Sequence, residues 1–154
     1  PAETKIQFPT SIRPLDRIPE SEATITRRFV METMGMGMMG RGLSINGKRM
    51  DLNRIDERVK LGSTEIWEIA NRSAMMMRMP HSMHVHDDHF QILSRNGRVP
   101  PPHEQGRKDT VLIMPGESVR IISRFRDYNG IYMYHCHLLE HEDDGMMGQF
   151  EIVR

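Results

Sequence analysis

The segment Tyr134-His135-Cys136-His137 decides how the rest of the sequence is interpreted. It ends a strand-like run over residues 131–136. Because side chains alternate between the two faces of a strand, His135 and His137 point one way and Cys136 points the other. One short segment can therefore serve two metal sites on opposite faces.

On the cysteine side, two further donors follow closely in the sequence. His141 lies five residues after Cys136 and Met146 lies ten after, in a loop broken by Gly145, so both can turn back toward the sulfur. A thiolate, two histidines and a distant thioether form the trigonal blue-copper arrangement used for electron transfer. We expect His81 to be the second histidine.

On the opposite side, four histidines are predicted to converge. His84 and His86 are two residues apart and share a strand face, while His81 reaches the cysteine side if the chain bends. Together with His135 and His137 they are too many imidazoles for a mononuclear site with an open position. They indicate half of a polynuclear copper cluster, completed by ligands that this chain lacks.

The composition agrees with copper and excludes other classes of partner. The 154 residues include 15 methionines, eight histidines and one cysteine, and soft sulfur with imidazole favours copper over calcium, magnesium or manganese. Lysine plus arginine and aspartate plus glutamate are 21 each, so no nucleic-acid partner is expected. No apolar run is long enough to predict a membrane span.

Short strands separated by turn signals predict an all-β fold. The strand-like runs cover residues 24–31, 43–45, 64–70, 84–94, 110–113, 118–125, 131–136 and 149–153. Asn46-Gly47 and Asn96-Gly97 are turn signals, and no 12-residue stretch has helical periodicity. The pattern indicates an antiparallel sandwich or Greek-key barrel.

The length predicts one domain, with an unusual segment at its beginning. Residues 1–22 contain four prolines among charges and are predicted to form an extended linker or a strap on another surface. The domain is expected over 23–154. It includes a methionine-rich and glycine-rich stretch, 31–40, which is predicted to be a mobile loop.

Two motifs resemble a known family. His81, His84 and His86 form H-x-x-H-x-H, and the segment that begins at His135 reads H-C-H-x-x-x-H-x-x-x-x-M. Their order, spacing and separation are similar to those of the third, C-terminal cupredoxin domain of bacterial multicopper oxidases, in the cuprous oxidase and laccase branch. Ser82 stands where that family usually has proline, which removes no ligand.

The resemblance implies a role for each ligand. The type 1 copper would be held by His81, Cys136, His141 and Met146, the type 2 copper by His84, and the type 3 pair by His86, His135 and His137. Electrons would pass from Cys136 through its bonded neighbours to the trinuclear cluster, where dioxygen is reduced to water. Glu142 matches an acid that helps to deliver protons in similar oxidases.

The resemblance also implies partners that the chain does not contain. The complete enzyme would hold four coppers, with the missing histidines supplied by N-terminal cupredoxin domains of the same oxidase, as a separate fragment. Activity would require that N-terminal portion. The substrates would be Cu(I) or small phenolic compounds together with dioxygen, and the location would be the periplasm or the cell exterior, in copper homeostasis.

Methionines near these motifs have two possible roles. Thioethers exposed in a glycine-rich loop can bind Cu(I), whereas methionines usually fill hydrophobic cores. The candidates for a Cu(I) substrate site are Met31, Met34, Met36, Met38, Met39, Met77 and Met79.

Other interpretations of the histidine-rich segments remain open. A thiol nucleophile needs only one base, and a closed zinc site needs four ligands and no thioether, so either leaves several ligands unused. A stand-alone blue-copper electron-transfer module would leave four histidines idle. His89 and His103 are expected to be surface or outer-sphere histidines.

Overall fold

The computed structural model describes residues 14–34, 42–73, 78–87 and 89–154. Its eleven strands are β1 (Ile25–Met34), β2 (Gly42–Ile45), β3 (Glu57–Lys60), β4 (Thr64–Asn71), β5 (His81–Val85), β6 (Phe90–Arg95), β7 (Arg107–Lys108), β8 (Thr110–Ile113), β9 (Ser118–Arg124), β10 (Gly130–Cys136) and β11 (Met147–Val153). One α-helix, α1 (Leu139–Asp143), follows β10, and 3-10 turns cover Glu20–Glu22 and Pro102–Glu104. No helix of these ranges is long and apolar enough to cross a membrane.

The strands form a sandwich of two sheets. The first sheet has the order β2-β1-β4-β9-β6-β7 and the second has the order β3-β11-β10-β5-β8. Most neighbours are antiparallel, but β1 pairs with β4, and β11 with β3, in parallel. The predicted all-β, cupredoxin-like sandwich is confirmed, with two parallel pairs that the sequence did not indicate.

The core between the sheets is aromatic. Trp67 packs against the rings of Phe29, Phe125 and Phe150, and Tyr134 contacts both Phe29 and Trp67 edge-on. These rings come from both sheets and are at most a few per cent exposed. Their burial, worth about 25 cal/mol per Å² of apolar surface, is the main term that holds the sheets together.

The prediction of a single strand over residues 84–94 is wrong. The segment forms two strands, because the chain leaves the second sheet after Val85 and enters the first sheet at Phe90. Asp87 lies between them with a φ of 83°, a conformation that is uncommon for a non-glycine residue. The break places His86 directly after the end of β5, an interior strand of the second sheet.

The turn predictions at two asparagine-glycine pairs are confirmed. Asn46 and Gly47 have φ angles of 53° and 70°, and Asn96 and Gly97 have angles of 50° and 72°. Positive φ at both central positions is the type I′ pattern that these residues favour. The short strands β3 and β7, and the helix α1, were not predicted.

Residues 14–22 lie along the outer face of the first sheet. Ile18 packs against Ile66 and Ile122, and its N–H donates to the buried Gln91 side chain at 3.2 Å. The Arg124 guanidinium pairs with Glu22 at 2.6 Å. This part of the predicted linker is a strap on the domain's own sheet; residues 1–13 lie outside the described residues.

Only part of the predicted methionine-rich loop is described. Residues 31–34 continue strand β1, so the loop boundary at residue 31 is wrong. The side chain of Met31 is fully buried in the core. An enclosed thioether cannot receive an ion from solvent, so the structure gives Met31 a packing role.

Gly148 is the glycine that the fold requires most strictly. A Cβ at this position would lie 2.6 Å from Tyr134 Cζ and 2.8 Å from Asp56 Oδ2, and would also overlap the Tyr134 hydroxyl. We expect Gly148→Ala to lower the free energy of unfolding by about 1–3 kcal/mol, because the buried ring must shift. Denaturant unfolding of the protein that carries this chain measures the loss.

Gly106→Ala is the matched control. Gly106 is exposed, has an ordinary φ, and a Cβ there meets nothing within 4 Å. Its stability should stay within about 0.5 kcal/mol of the parent, as at ordinary surface positions. Equal stability of both variants would show that Tyr134 does not sit over Gly148 as described.

Candidate metal centre

Three donor atoms converge inside the sandwich. Cys136 Sγ lies 3.8 Å from His81 Nδ1 and 3.4 Å from His141 Nδ1, and the two imidazole nitrogens are 3.2 Å apart. All three side chains are buried. This group is called the inner site below.

Alternation along β5 brings His81 to the inner site. His81, Met83 and Val85 are buried in the core, and Cys136 lies directly opposite Met83 in the register of β10 and β5. His81 is an odd number of residues from His84, so the two face opposite ways in a regular strand. The bend that the sequence analysis required is therefore unnecessary.

A tight backbone return brings the remaining predicted donors back to the cysteine. Helix α1 carries His141, and Gly145 turns the chain with a φ of 83°. The Met146 N–H donates to the His141 carbonyl, and the Cys136 N–H donates to the Met146 carbonyl, both at 2.9 Å. Met146 is fully buried, and its backbone is hydrogen-bonded to that of Cys136.

The inner site fits a trigonal metal ion. With metal–ligand bonds of about 2.0–2.3 Å at 120°, the donors should be about 3.6 Å apart for two nitrogens and about 3.8 Å for nitrogen and sulfur. The observed separations of 3.2, 3.4 and 3.8 Å are close to these values. A cysteine and two imidazoles, with the buried Met146 in the same loop, are a donor set that suits copper.

Burial keeps the inner-site donors neutral before a cation binds. It raises the pKa of the Cys136 thiol, against which the backbone N–H groups of Ser82 and Leu138 act. Burial also lowers the pKa of His81 to about 4, with the neighbouring His141 as a second cause. Neutral imidazoles can bind a metal directly, whereas the thiol has to lose its proton as the metal binds.

Four histidines form a second group on the outer face of the second sheet. His84 lies opposite His135 in the register, and their ring centroids are 5.1 Å apart. His86 Nε2 lies 3.2 Å from His135 Nε2, and the His137 ring lies 5.1 Å from His84 and 5.3 Å from His135. This group, called the outer site below, contains all four residues that the sequence predicted.

Hydrogen bonds orient two of these rings. His84 Nδ1 lies 2.9 Å from both the Asp109 carbonyl and Thr110 Oγ1, which leaves its Nε2 for a ligand. His135 Nδ1 lies 3.2 Å from the Cys136 carbonyl, which likewise leaves Nε2 toward His86. Burial lowers the pKa of His135.

The outer site is open to solvent on one side. The His137 side chain is 55% exposed, and His84 and His86 line a surface depression of about 360 Å³ together with the exposed His89. An Oε2 atom of Glu142 lies 3.4 Å from His135 Nδ1. The predicted proton-transfer residue is therefore beside the outer site.

Some candidate residues lie elsewhere or are not described. His103 is exposed in the 3-10 turn Pro102–Glu104, as expected of a surface histidine. Met79 is half-buried two residues before His81, and its carbonyl lies 3.2 Å from Ser73 Oγ. The remaining methionine candidates fall on residues or side chains outside the described part, namely Met34, Met36, Met38, Met39 and Met77.

The sequence analysis missed the residues that orient the candidate donors. Thr110 and Asp109 contact His84, and Ser73 and Thr33 contact His81. Hydroxyls and carbonyls are too common to single out, and the register of β5 with β8 is needed to place Thr110 opposite His84.

Comparison with known proteins gives one consistent family. A family model described as multicopper oxidase matches residues 19–154. A multicopper oxidase of Staphylococcus haemolyticus is 38% identical over 144 residues, which cover 94% of this chain and 32% of the relative.

Solved structures agree in fold. A laccase from Pediococcus acidilactici aligns with a TM-score of 0.79 at 37% identity, covering 98% of this chain and 32% of that one. A multicopper oxidase from Campylobacter jejuni, described as a metallo-oxidase, aligns with a TM-score of 0.79 at 32% identity, covering 97% and 34%. The chain thus spans about a third of the length of these relatives. With a cupredoxin-like fold and a family match over most of its length, the chain belongs to the multicopper oxidase family.

Proposed function

We propose that this chain is the C-terminal part of a multicopper oxidase that couples one-electron oxidation of Cu(I) or phenolic substrates to the reduction of dioxygen to water. The inner site would hold the type 1 copper through His81, Cys136, His141 and Met146. The outer site would hold the type 2 copper through His84 and part of the type 3 pair through His86, His135 and His137. Copper bound there supplies the one-electron and dioxygen chemistry.

The back-to-back placement of the two sites carries this proposal. Cys136 belongs to the inner site, and its immediate neighbours His135 and His137 belong to the outer site. The sites are therefore joined through single peptide units on each side of the cysteine. A simple electron carrier needs one metal site and has no use for four further histidines that converge on the other face.

The outer site supports the need for a second copper-binding domain. His137 is more than half exposed, and exposed apolar side chains flank the histidines on the same sheet face, with Ile131 at 58% and Leu112 at 49%. An apolar rim around polar ligands is typical of a surface that another domain covers. The length of the relatives, about three times that of this chain, leaves room for such domains.

Glu142 is suited to move protons at the outer site. Its carboxylate reaches His135 Nδ1 at 3.4 Å and His137 Nδ1 at 3.9 Å, while 31% of the side chain stays exposed. It can therefore exchange protons with water and still contact the histidine group.

The methionine side chains support Cu(I) as the electron donor. Thioethers bind Cu(I), and Met79 lies close to His81, so the methionine-rich segments support a cuprous ion as one substrate of the inner site. Such an activity would serve copper homeostasis in the periplasm or outside the cell.

Cys136→Ser tests the inner site. We expect the copper-loaded protein that carries this chain to lose one copper and its thiolate-dependent visible absorption, because a serine hydroxyl is a poor ligand for copper. Native mass spectrometry counts the metal, and His103→Ala, which removes an exposed histidine outside both sites, serves as the control. Unchanged absorption in Cys136→Ser would rule out the type 1 assignment.

Glu142→Gln tests proton transfer. We expect dioxygen consumption to fall about 100-fold or more, in the range that general acid catalysis contributes, while copper content and anaerobic reduction of the inner site by the donor stay unchanged. Asp143→Asn, an exposed acid on the same helix, should consume dioxygen at the parent rate. A loss of copper in Glu142→Gln would instead mean that the carboxylate positions a ligand.

A further inference from the structure

The orientation of the His81 ring is fixed by contacts at Nε2, the ring nitrogen that faces away from the inner site. Its Nδ1 faces Cys136 Sγ and His141 Nδ1, so its Nε2 points away from the inner site into the protein. The side chain is fully buried. A buried ring nitrogen that carries a proton needs an acceptor, since an unpaired one costs about 1–3 kcal/mol.

Two hydroxyl groups meet this nitrogen. Ser73 Oγ lies 3.1 Å from His81 Nε2, and Thr33 Oγ1 lies 3.3 Å from it. Thr33 lies in β1 of the first sheet and Ser73 lies two residues beyond the end of β4 of that sheet, whereas His81 begins β5 of the second. The contact therefore crosses between the sheets.

The direction of the hydrogen bonds is set by Asn71. Its buried amide donates to the carbonyls of Met79 and Ile113, both at 2.9 Å, which uses both amide hydrogens. Its Oδ1 therefore faces Ser73 and accepts from the Ser73 N–H at 3.0 Å and from the Ser73 hydroxyl at 2.7 Å. The Ser73 hydroxyl proton goes to Asn71 Oδ1 at 2.7 Å, with the Met79 carbonyl at 3.2 Å as the more distant acceptor, so Ser73 Oγ presents lone pairs to His81.

We propose that Asn71 and Ser73, with Thr33 as a second acceptor, are positioning residues that hold His81 in the Nε2–H form and so present the Nδ1 lone pair to the metal of the inner site. The proposal rests on the proposed function for the identity of that metal. The hydrogen-bond chain runs from two backbone carbonyls through Asn71 and Ser73 to the ligand. The orientation of the ring and the choice of which nitrogen carries the proton are then set before the metal binds.

The outer site uses the opposite nitrogen by the same means. His84 Nδ1 contacts the Asp109 carbonyl, a strict acceptor, and Thr110 Oγ1, so His84 keeps its proton on Nδ1 and offers Nε2. His81 and His84 are three residues apart on one strand. Different acceptors therefore make two neighbouring histidines present different ring nitrogens to two sites.

Removing the acceptors should weaken the inner site without removing a ligand. Outer-sphere hydrogen bonds to metal-bound histidines contribute about 10–100-fold in metal affinity. We expect Ser73→Ala to lower Cu(II) affinity at the inner site, and the double variant Ser73→Ala/Thr33→Val to lower it by about 10–100-fold. The reduction potential should rise, because an imidazole that donates no hydrogen bond is a less basic ligand. A less basic ligand stabilises Cu(II) less, and Cu(II) depends on ligand basicity more than Cu(I) does.

The experiment uses the copper-loaded protein. Competition against a chelator measures the copper affinity, and redox titration of the visible band measures the reduction potential. Thermal melting of the metal-free form measures the stability of each variant. Ser73→Ala/Thr33→Ser retains one hydroxyl and should recover most of the affinity. Ser44→Ala is the control, since Ser44 is a buried serine whose hydroxyl has no hydrogen-bond partner among the described residues.

Two results would overturn the inference. One is a Ser73→Ala/Thr33→Val protein whose Cu(II) affinity and potential equal those of Ser44→Ala. The other is an equal loss in the Thr33→Ser and Thr33→Val doubles, which would assign the effect to packing. If the unsubstituted protein takes up no copper at Cys136, the proposed function fails, whereas copper uptake with unaffected variants overturns this inference alone.

Discussion

The two-residue alternation of side chains along β5 and β10 is the constraint on which both sites depend. With Cys136 opposite Met83 and His135 opposite His84, cysteine enters the core and histidine stays on the outer face. A slip of one residue would exchange the faces, exposing the thiol and burying imidazoles without partners. The pairing of these two strands therefore sets the placement of both donor groups at once.

The register is secured away from the metal sites by groups that bind the two sheets together. Tyr134, two residues before Cys136, is wedged among core rings that include Trp67. Arg27 pairs with the fully buried Glu65 at 2.6 Å and with Glu57 of the other sheet at 2.5 Å, while the Trp67 indole N–H donates to Glu65. Pairing with Glu65 is the main reason that the pKa of Arg27 is raised. Breaking such a buried pair leaves an uncompensated charge, which costs about 3–5 kcal/mol.

The two groups of candidate donors could be recognised in the sequence because much of their pattern is local. Alternation within His135-Cys136-His137, together with a short return to His141, needs no knowledge of the rest of the chain. The helix α1 could not be predicted, since five residues have no periodicity, and neither could the break at Asp87, because nothing marks an aspartate for positive φ. Ser73 was beyond reach as well, since its contact with His81 arises only when two sheets pack face to face.

The strap formed by residues 14–22 makes the two outer faces of the sandwich different. Ile18 covers Ile66 and Ile122 in the middle of that sheet, which lets β9 carry buried isoleucines on both of its faces. Residues 14–22 thus cover part of the outer face of the first sheet, whereas the outer face of the second sheet presents histidines and an apolar rim. Any domain that packs on the histidine-bearing face would therefore leave the strapped face on the far side, so the strap next to Pro19 makes the two outer surfaces of the sandwich unequal.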